Sequence, residues 1–463
     1  MRTPHSQDGA GLTRLAGCAG WTLLAGLLVS ALASSAGAAV PDAYQQMWDG
    51  VAGQIDEGIE RHRKGDAVIE VVDADGQPVA GAALEIRQKT HDFLFGCNLF
   101  ALGQLESPEL NRKYEEAFAR INNFATLPFY WRELEPEDGR PRFAEGSPPI
   151  WRRPPPDQLV KWCRARGITA KGHALMYAKT MFMPDWIKPD DPQRLKTLAQ
   201  RHMSQIAERY GRDIAVWDVV NEELPRLAHP QQWHAVPDDY LAWCFQEAGR
   251  LFPKNATLMI NDGINQSHVT TDQYEKLVRG LLQRQVRVEG IGIQFHTSRG
   301  AMLSGKVYAP SHMLAVYEQL GRLGLPLYIT EITVPGVGEN GPAEQATIVA
   351  NLYRLWFSTP AMAGVTWWNL ADGTAYRNEN AALGGLLDKD MNPKPAYQAL
   401  DQLINHQWKT NLTVKTDAQG RAQFRGFYGG YKAQVTLRNR VQDFEVHVAK
   451  GASATYRLVL KKH

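Results

Sequence analysis

Between Phe93 and Asp372 the chain states one theme eight times. A short β-branched and aromatic run gives way to a stretch with helical spacing, and then another run begins. The runs are Phe93–Phe100, Asn122–Trp131, Ile168–Tyr177, Ala215–Glu222, Thr257–Gly263, Gly290–His296, Leu325–Ile332 and Gly364–Asp372. Segments such as Pro192–Tyr210 and Thr271–Arg284 carry the helical spacing between them. Strands alternating with helices build βαβ units and a parallel sheet. Eight such units predict an α/β chain with a closed (β/α)8 TIM barrel instead of an open, doubly wound sheet.

Polar residues gather at the far ends of these runs: Glu222, Asn261, Asp262, His296, Glu331 and Asp372. The run interiors are apolar, as they must be when helices cover both faces of a sheet. The carboxyl ends of barrel strands are where this architecture builds catalytic pockets. The pattern therefore predicts an enzyme site at that end.

The 463 residues exceed what one barrel needs. Arg2 and Arg14 precede the apolar run Leu15–Leu32, and Ala36-Gly37-Ala38 follows it. This reads as a secretory signal peptide over residues 1–38, so the mature chain is expected to be secreted or periplasmic. Residues 39–90 then form a helix and strands, 91–408 the barrel, and 409–463 further strands. In Asp66–Lys89, two strand-like runs around Asp73-Ala74-Asp75-Gly76 read as a hairpin. Neither flank is large enough for a core of its own. Val71–Ile86 and Thr416–Val435 resemble the two halves of a carboxypeptidase-regulatory-like β-sandwich. That resemblance implies a small accessory sandwich split around the barrel, expected to brace it. Cys97, Cys163 and Cys244 form no C-x-x-C pair and are read as buried free thiols. With 51 Lys+Arg against 49 Asp+Glu the net charge is +2, which points away from nucleic acid and from a basic hold on anionic membranes. The mature chain is expected to stay off the membrane and to act as a monomer.

Cleaving a glycosidic bond with retention needs two carboxyl groups about 5–5.5 Å apart, one protonated and one ionised. The best pair is Glu222 in VWDVVNEEL and Glu331 in YITEITVP, which end the fourth and seventh runs. Those positions face each other across a barrel mouth. Asn221, His296 and Trp368 stand at strand ends beside them.

Over residues 91–408 the chain is similar to glycoside hydrolase family 10, the retaining β-1,4-xylanases. Trp217–Glu222 matches W-D-V-V-N-E, Ile329-Thr330-Glu331 matches I-T-E, and Gly290–His296 matches G-I-G-x-Q-x-H. Met259–Asp262, Gly172-His173, Trp368 with Asp372, and Pro393–Tyr397 fit further family motifs in order. The resemblance implies endo-1,4-β-xylanase-like cleavage of a plant polysaccharide or oligosaccharide by double displacement. Glu222 is then the acid/base and Glu331 the nucleophile. Asn221 would bond the sugar 2-OH, and His296 would donate to Glu331. His173 and Gln294 would line the glycone subsite, and Trp368 would stack under the ring. Tyr130, Tyr177 and Asp262 join them as binding or supporting residues. The pattern calls for no cofactor and no metal, since His173, His296 and Asp262 lack H-x-H or H-E-x-x-H spacing.

The departures concern substrate. The family's second strand reads E-N-x-M-K-W, and its Glu, Asn and Lys hold the sugar on the glycone side. Here those positions are Thr126, Leu127 and Tyr130. The family's W-H after the third strand is Tyr177-Ala178, the Tyr after I-N-D is Gly263, and a late Trp is Tyr376. Sites that hydrogen-bond hydroxyls discriminate strongly, so this exchange predicts a changed preference in sugar or linkage. The segment Ser147–Pro156 should lie over the catalytic face. There Trp151 could stack on sugar, and Arg152 or Arg153 could pair a uronic acid. Two alternatives stay open: a retaining glycosidase for a different or decorated glycan, and a non-catalytic carbohydrate-binding barrel. Internal and terminal cleavage are both compatible with the motifs.

Overall fold

In the computed structural model, residues 40–264, 269–438, 440–451 and 455–461 are described. The expected signal peptide lies outside them. After a helix, Asp42–Arg63, come β1 (Lys64–Val72) and β2 (Ala83–Gln88). Eight strands follow: β3 (Leu94–Asn98), β4 (Phe124–Pro128), β5 (Thr169–Met176), β6 (Val216–Asn221), β7 (Thr257–Gly263), β8 (Gly290–His296), β9 (Leu327–Thr333) and β10 (Met362–Trp367). The chain ends with β11 (Asn411–Lys415), β12 (Arg421–Phe427), β13 (Gly429–Leu437), β14 (Arg440–Val448) and β15 (Thr455–Val459). No helix among the described residues is long and apolar enough to cross a membrane.

Strands β3 to β10 pair in parallel and close into a barrel, β10 meeting β3. Every residue of β4 and β6 is buried, as strands covered on both faces require. The last barrel strand differs from the expected run. It starts two residues earlier, because Met362 pairs with Leu327, and it stops at Trp367. Asp372 therefore stands in the loop beyond it, where its carboxylate accepts from Lys394 Nζ at 3.0 Å. Helix starts carry the expected signals. Asp191 accepts from the Arg194 N–H ahead of Pro192, and Thr270 forms a capping box with Gln273. Cys97, Cys163 and Cys244 are free and buried, and burial raises all three thiols, Cys163 to about 12.

The flanks make two small sheets, β12-β1-β15 and β11-β2-β13-β14. Each sheet takes one strand from the N-terminal flank and the rest from the C-terminal one. Ile69, Val71, Leu84, Ile86, Ala433 and Val435 share the core of this accessory sandwich. The expected hairpin is not formed: β1 and β2 lie in different sheets. Asp73 accepts from the Asp75 and Gln77 N–H groups at 2.9 Å, and Gly76 takes φ 80°, so the turn exists. It leads the chain from one sheet to the other, because both strands find longer partners in the C-terminal flank.

The leading helix packs with the barrel instead of the sandwich, burying Tyr44, Trp48, Ile55 and Ile59 in the barrel's core cluster. It ends at Arg63, which donates to the carbonyls of Phe357, Thr359 and Met362, the last at 2.8 Å. Burial pulls the Arg63 pKa down to about 10, yet the guanidinium still suits the carbonyl-rich end of helix Gly341–Ser358. The sandwich attaches nearby. The Phe427 ring lies 5.9 Å from Phe357 and 6.2 Å from His91, and Trp408 stacks on Phe357 at 4.2 Å. His91 precedes β3 and Phe357 precedes β10, so the sandwich braces the amino-terminal end of the barrel strands. The carboxyl ends are left for chemistry. Replacing Arg63 by Ala should leave three buried carbonyls without this donor and cost about 3 kcal/mol, read by urea unfolding. A midpoint unchanged from wild type would contradict this role.

Candidate active site

Strand register brings five polar side chains to one spot. Between β8 and β9 the pairing slips after Ile293–Ile329, so that Gln294 faces Glu331 and His296 faces Thr333. Such irregularities re-aim side chains. Glu331, only 5% exposed, ends up surrounded by donors. His296 Nε2 lies 3.0 Å from its Oε2, while Asn261 Nδ2 at 3.0 Å and Gln294 Nε2 at 3.2 Å donate to Oε1. His173 Nε2 stands 4.0 Å from the same oxygen. Burial pushes the Glu331 carboxyl up, but the His296 hydrogen bond and the charges of His173, His296 and Lys171 outweigh it. Its pKa falls below the ordinary glutamate value. His296 moves the opposite way. Burial favours its neutral form, yet Glu331, with Glu379 and Glu222 further off, raises it. Its Nδ1 meets Thr333 Oγ1 at 2.9 Å, which fixes the ring. Each group thus favours the charged form of the other.

A second slip, between β6 and β7, sets Asn221 opposite Asn261. Asn221 Oδ1 accepts from Asn261 at 2.8 Å and from Gln294 at 3.3 Å, which leaves its amide nitrogen for a ligand. Glu222 follows directly and takes a left-handed conformation, φ 56° and ψ 52°. A non-glycine residue there stores about 1–3 kcal/mol and persists only where its surroundings hold it. Two contacts do so here. The Glu222 N–H donates to the Asn261 carbonyl at 2.9 Å, and Asp262 accepts the Leu224 N–H at 2.9 Å. Asp262 is therefore a backbone anchor behind Glu222, buried and with its pKa raised by that burial. Lys179 Nζ lies 3.5 Å from Glu222 Oε2, and burial, with the nearby Glu222 charge as the smaller cause, raises the Tyr177 hydroxyl well above its ordinary value. A cavity of about 190 Å³ opens beside Glu222, lined among others by Lys179, Gln232, Trp233 and Gln294. A larger cleft of about 740 Å³ between the leading helix and helix Pro310–Gly321 holds no buried carboxylate, so chemistry and not size marks the site.

Sequence reasoning did not single out the residues beneath this pair. Lys171 Nζ donates to Asp218 Oδ2 at 2.7 Å, both side chains being 0% exposed. The same oxygen meets His173 Nδ1 at 2.8 Å, and His173 pairs with Asp218 in the β5–β6 register. Burial pushes Asp218 up, but Lys171 and His173 outweigh it and hold it ionised. The chain Lys171–Asp218–His173 thus aims His173 Nε2 at Glu331. The signal was present: Lys171 and Asp218 are charged residues inside runs that are otherwise apolar. Asn261, bonded to both Asn221 and Glu331, was seen only as a strand-end residue.

Aromatic rings surround the pocket. Trp368 meets His173 at 5.5 Å and His296 at 6.1 Å, both edge-on. Tyr130 contacts His173 at 5.3 Å and Tyr177 at 6.3 Å. Thr126 and Leu127 are fully buried, so neither can reach a sugar. In the loop expected over the face, the two arginines depart from expectation. Trp151 is 50% exposed, and among the described residues no ring contact or hydrogen bond brings it to the carboxylates. Arg152 and Arg153 are 3% and 7% exposed and already committed within the protein. Arg152 donates to Asn369 Oδ1 at 2.6 Å and to the Thr374 carbonyl. Arg153 lies over the Tyr130 ring at 3.9 Å, with Glu133 beside it at 3.5 Å. Arginines so placed do not meet a uronic acid. Ring faces together with these polar partners hold both guanidinium groups inside the protein.

Known proteins fit this geometry. The sequence model of Glycosyl hydrolase family 10 matches residues 122–403. The chain is 25% identical over 412 residues to the anti-sigma-I factor RsgI6 of Acetivibrio thermocellus, covering 88% of this chain and 50% of that protein. It is 23% identical over 387 residues to endo-1,4-beta-xylanase 1 of Arabidopsis thaliana, covering 81% of this chain and 37% of that one. It therefore spans half or less of the length of these curated relatives. Native xylanase 10B from Thermotoga maritima superimposes with a TM-score of 0.56 at 22% identity, covering 68% of this chain and 96% of that structure, a likeness of fold. With the closed barrel in place and the family model matched over residues 122–403, this chain belongs to glycosyl hydrolase family 10.

Proposed function

We propose that the protein is a retaining glycoside hydrolase with endo-1,4-β-xylanase-like chemistry, acting on a β-1,4-linked xylan-type glycan by double displacement. The observation that carries this is the environment of Glu331: buried, yet held ionised by His296. Burial alone would protonate a carboxyl, so a site that spends this many donors keeping one charged needs it as an attacking group. Glu331 attacks the anomeric carbon, and Glu222, next to the open cavity, protonates the departing oxygen. Once the glycosyl ester has formed, the same residue takes a proton from water, which hydrolyses it. The free Asn221 amide donates to the sugar 2-OH, a bond that strengthens as positive charge develops on the ring. Names of relatives such as endo-1,4-beta-xylanase 1 agree with this substrate class. We further propose, from Arg2, Arg14, the apolar run and Ala36-Gly37-Ala38, that the protein is exported and released from the membrane. A second reading, a different or decorated glycan, draws support from the buried Thr126 and Leu127, which offer no grip on a xylose hydroxyl.

Glu331→Ala should lower turnover on every glycoside by roughly 10⁴-fold or more. Glu222→Ala should lose about 10²–10⁴-fold on polysaccharide but far less on aryl glycosides, whose leaving groups need no proton. Reducing-sugar and chromophore assays read both, and full activity of the Glu331 variant would end the assignment. The pH profile gives a separate check. His296 lowers the Glu331 pKa, so His296→Ala lets it rise and the acidic limb of kcat/KM should move to higher pH. An unmoved acidic limb would show that His296 does not hold the nucleophile's charge.

A further inference from the structure

We propose that the glycone side of this site holds a single sugar ring, so that cleavage falls one sugar in from the non-reducing end of the chain. This rests on the retaining-glycosidase reading above and narrows it: the double displacement is the same, but the bond cut is terminal and not internal.

A general acid stands on the side of the departing group, so the leaving sugars lie toward Glu222, where the cavity bounded by Lys179, Gln232 and Trp233 is open. The sugars that stay with Glu331 must run the other way. In the closed strand order, β10 lies directly across from β6, with β3 beside it and β4 beyond β3. The side chains just past those three strands are Trp368, Phe100 and Tyr130. They form one continuous wall, with Phe100 edge-on to Trp368 at 5.4 Å and to Tyr130 at 6.0 Å.

The segment Ser147–Pro156 lies across that wall. Arg153 covers the Tyr130 ring at 3.9 Å, and Arg152 sits 5.3 Å from the Phe100 ring while bonding Asn369 and Thr374 beyond β10. The strap is fastened along its length. Gln104 accepts the Arg152 N–H at 2.6 Å and donates to the Ile150 carbonyl at 2.8 Å. Arg142 holds the Pro148 carbonyl at 3.0 Å and the Glu133 carbonyl at 2.8 Å. Arg152 keeps a left-handed backbone, φ 62°, within these bonds. The space in which a second glycone sugar would lie is thus filled by protein. Of the three second-strand positions that could have gripped it, Thr126 and Leu127 are fully buried and Tyr130 lies under Arg153 of the strap.

Paired aryl glycosides read the number of glycone sugars directly. Binding energy from a remote sugar is spent on the chemical step, so an occupied second subsite makes the bioside react much faster. We expect 4-nitrophenyl β-xyloside to be cleaved with a kcat/KM at least equal to that of 4-nitrophenyl β-xylobioside at its aryl bond. The β-glucoside and β-cellobioside run in parallel. A preference of about tenfold or more for either bioside overturns the single-ring assignment while leaving the glycosidase reading intact. No turnover of all four overturns that reading, and this inference with it. Arg153→Ala, checked for folding by circular dichroism, should raise the bioside-to-monoside ratio several-fold, and an unchanged ratio in a folded variant removes the strap from the role. If the variant fails to fold, the wild-type ratio still decides.

Discussion

The rest of the site depends on one charge that burial opposes. Taking a carboxylate out of water costs several kcal/mol unless partners replace the lost hydration. Around Glu331 that replacement comes from three strands: His173 on β5, Asn261 on β7, and Gln294 with His296 on β8, all directed at β9. Each partner is itself held. Asp218 and Lys171 fix His173, Thr333 fixes His296, and Asn221 ties Asn261 to Gln294. A network this connected tolerates the low dielectric because nearly every donor in it has an acceptor.

The two ends of the barrel divide the work. At the amino-terminal ends of the strands, the leading helix, Arg63 and the accessory sandwich bury aromatic and aliphatic surface. Stability accumulates there, well away from the carboxylates. The carboxyl ends can then carry strain at Glu222, a buried ion pair at Asp218 and Lys171, and an open cavity, none of which a marginal fold could bear. The split connectivity of the sandwich fits this division, since strands from both flanks close it around the barrel.

Much of this was legible in the residues. The eight apolar runs foretold the barrel because its strands are covered on both faces, and the charged residues ending them marked the catalytic face. What escaped has physical reasons. The β1–β2 turn looks like a hairpin because turn chemistry is local, whereas the choice of sheet partner depends on strands more than 300 residues away. Lys171 and Asp218 sit within strands, and only register reveals that they meet. Arg152 and Arg153 read as partners for an acidic sugar, but the Phe100 and Tyr130 faces offer them a buried seat. Asp262 was grouped with the binding or supporting residues, and register shows which: its carboxylate serves the backbone that carries Glu222.

The central claim is that Glu331 becomes covalently joined to the sugar. An activated 2-deoxy-2-fluoro xyloside slows breakdown of such an ester and lets it accumulate. Intact mass followed by peptide mapping should find one fluoro-sugar on the protein, attached to Glu331. Attachment to another carboxylate, or turnover of the ordinary glycoside with an inverted product and no adduct, would contradict the account.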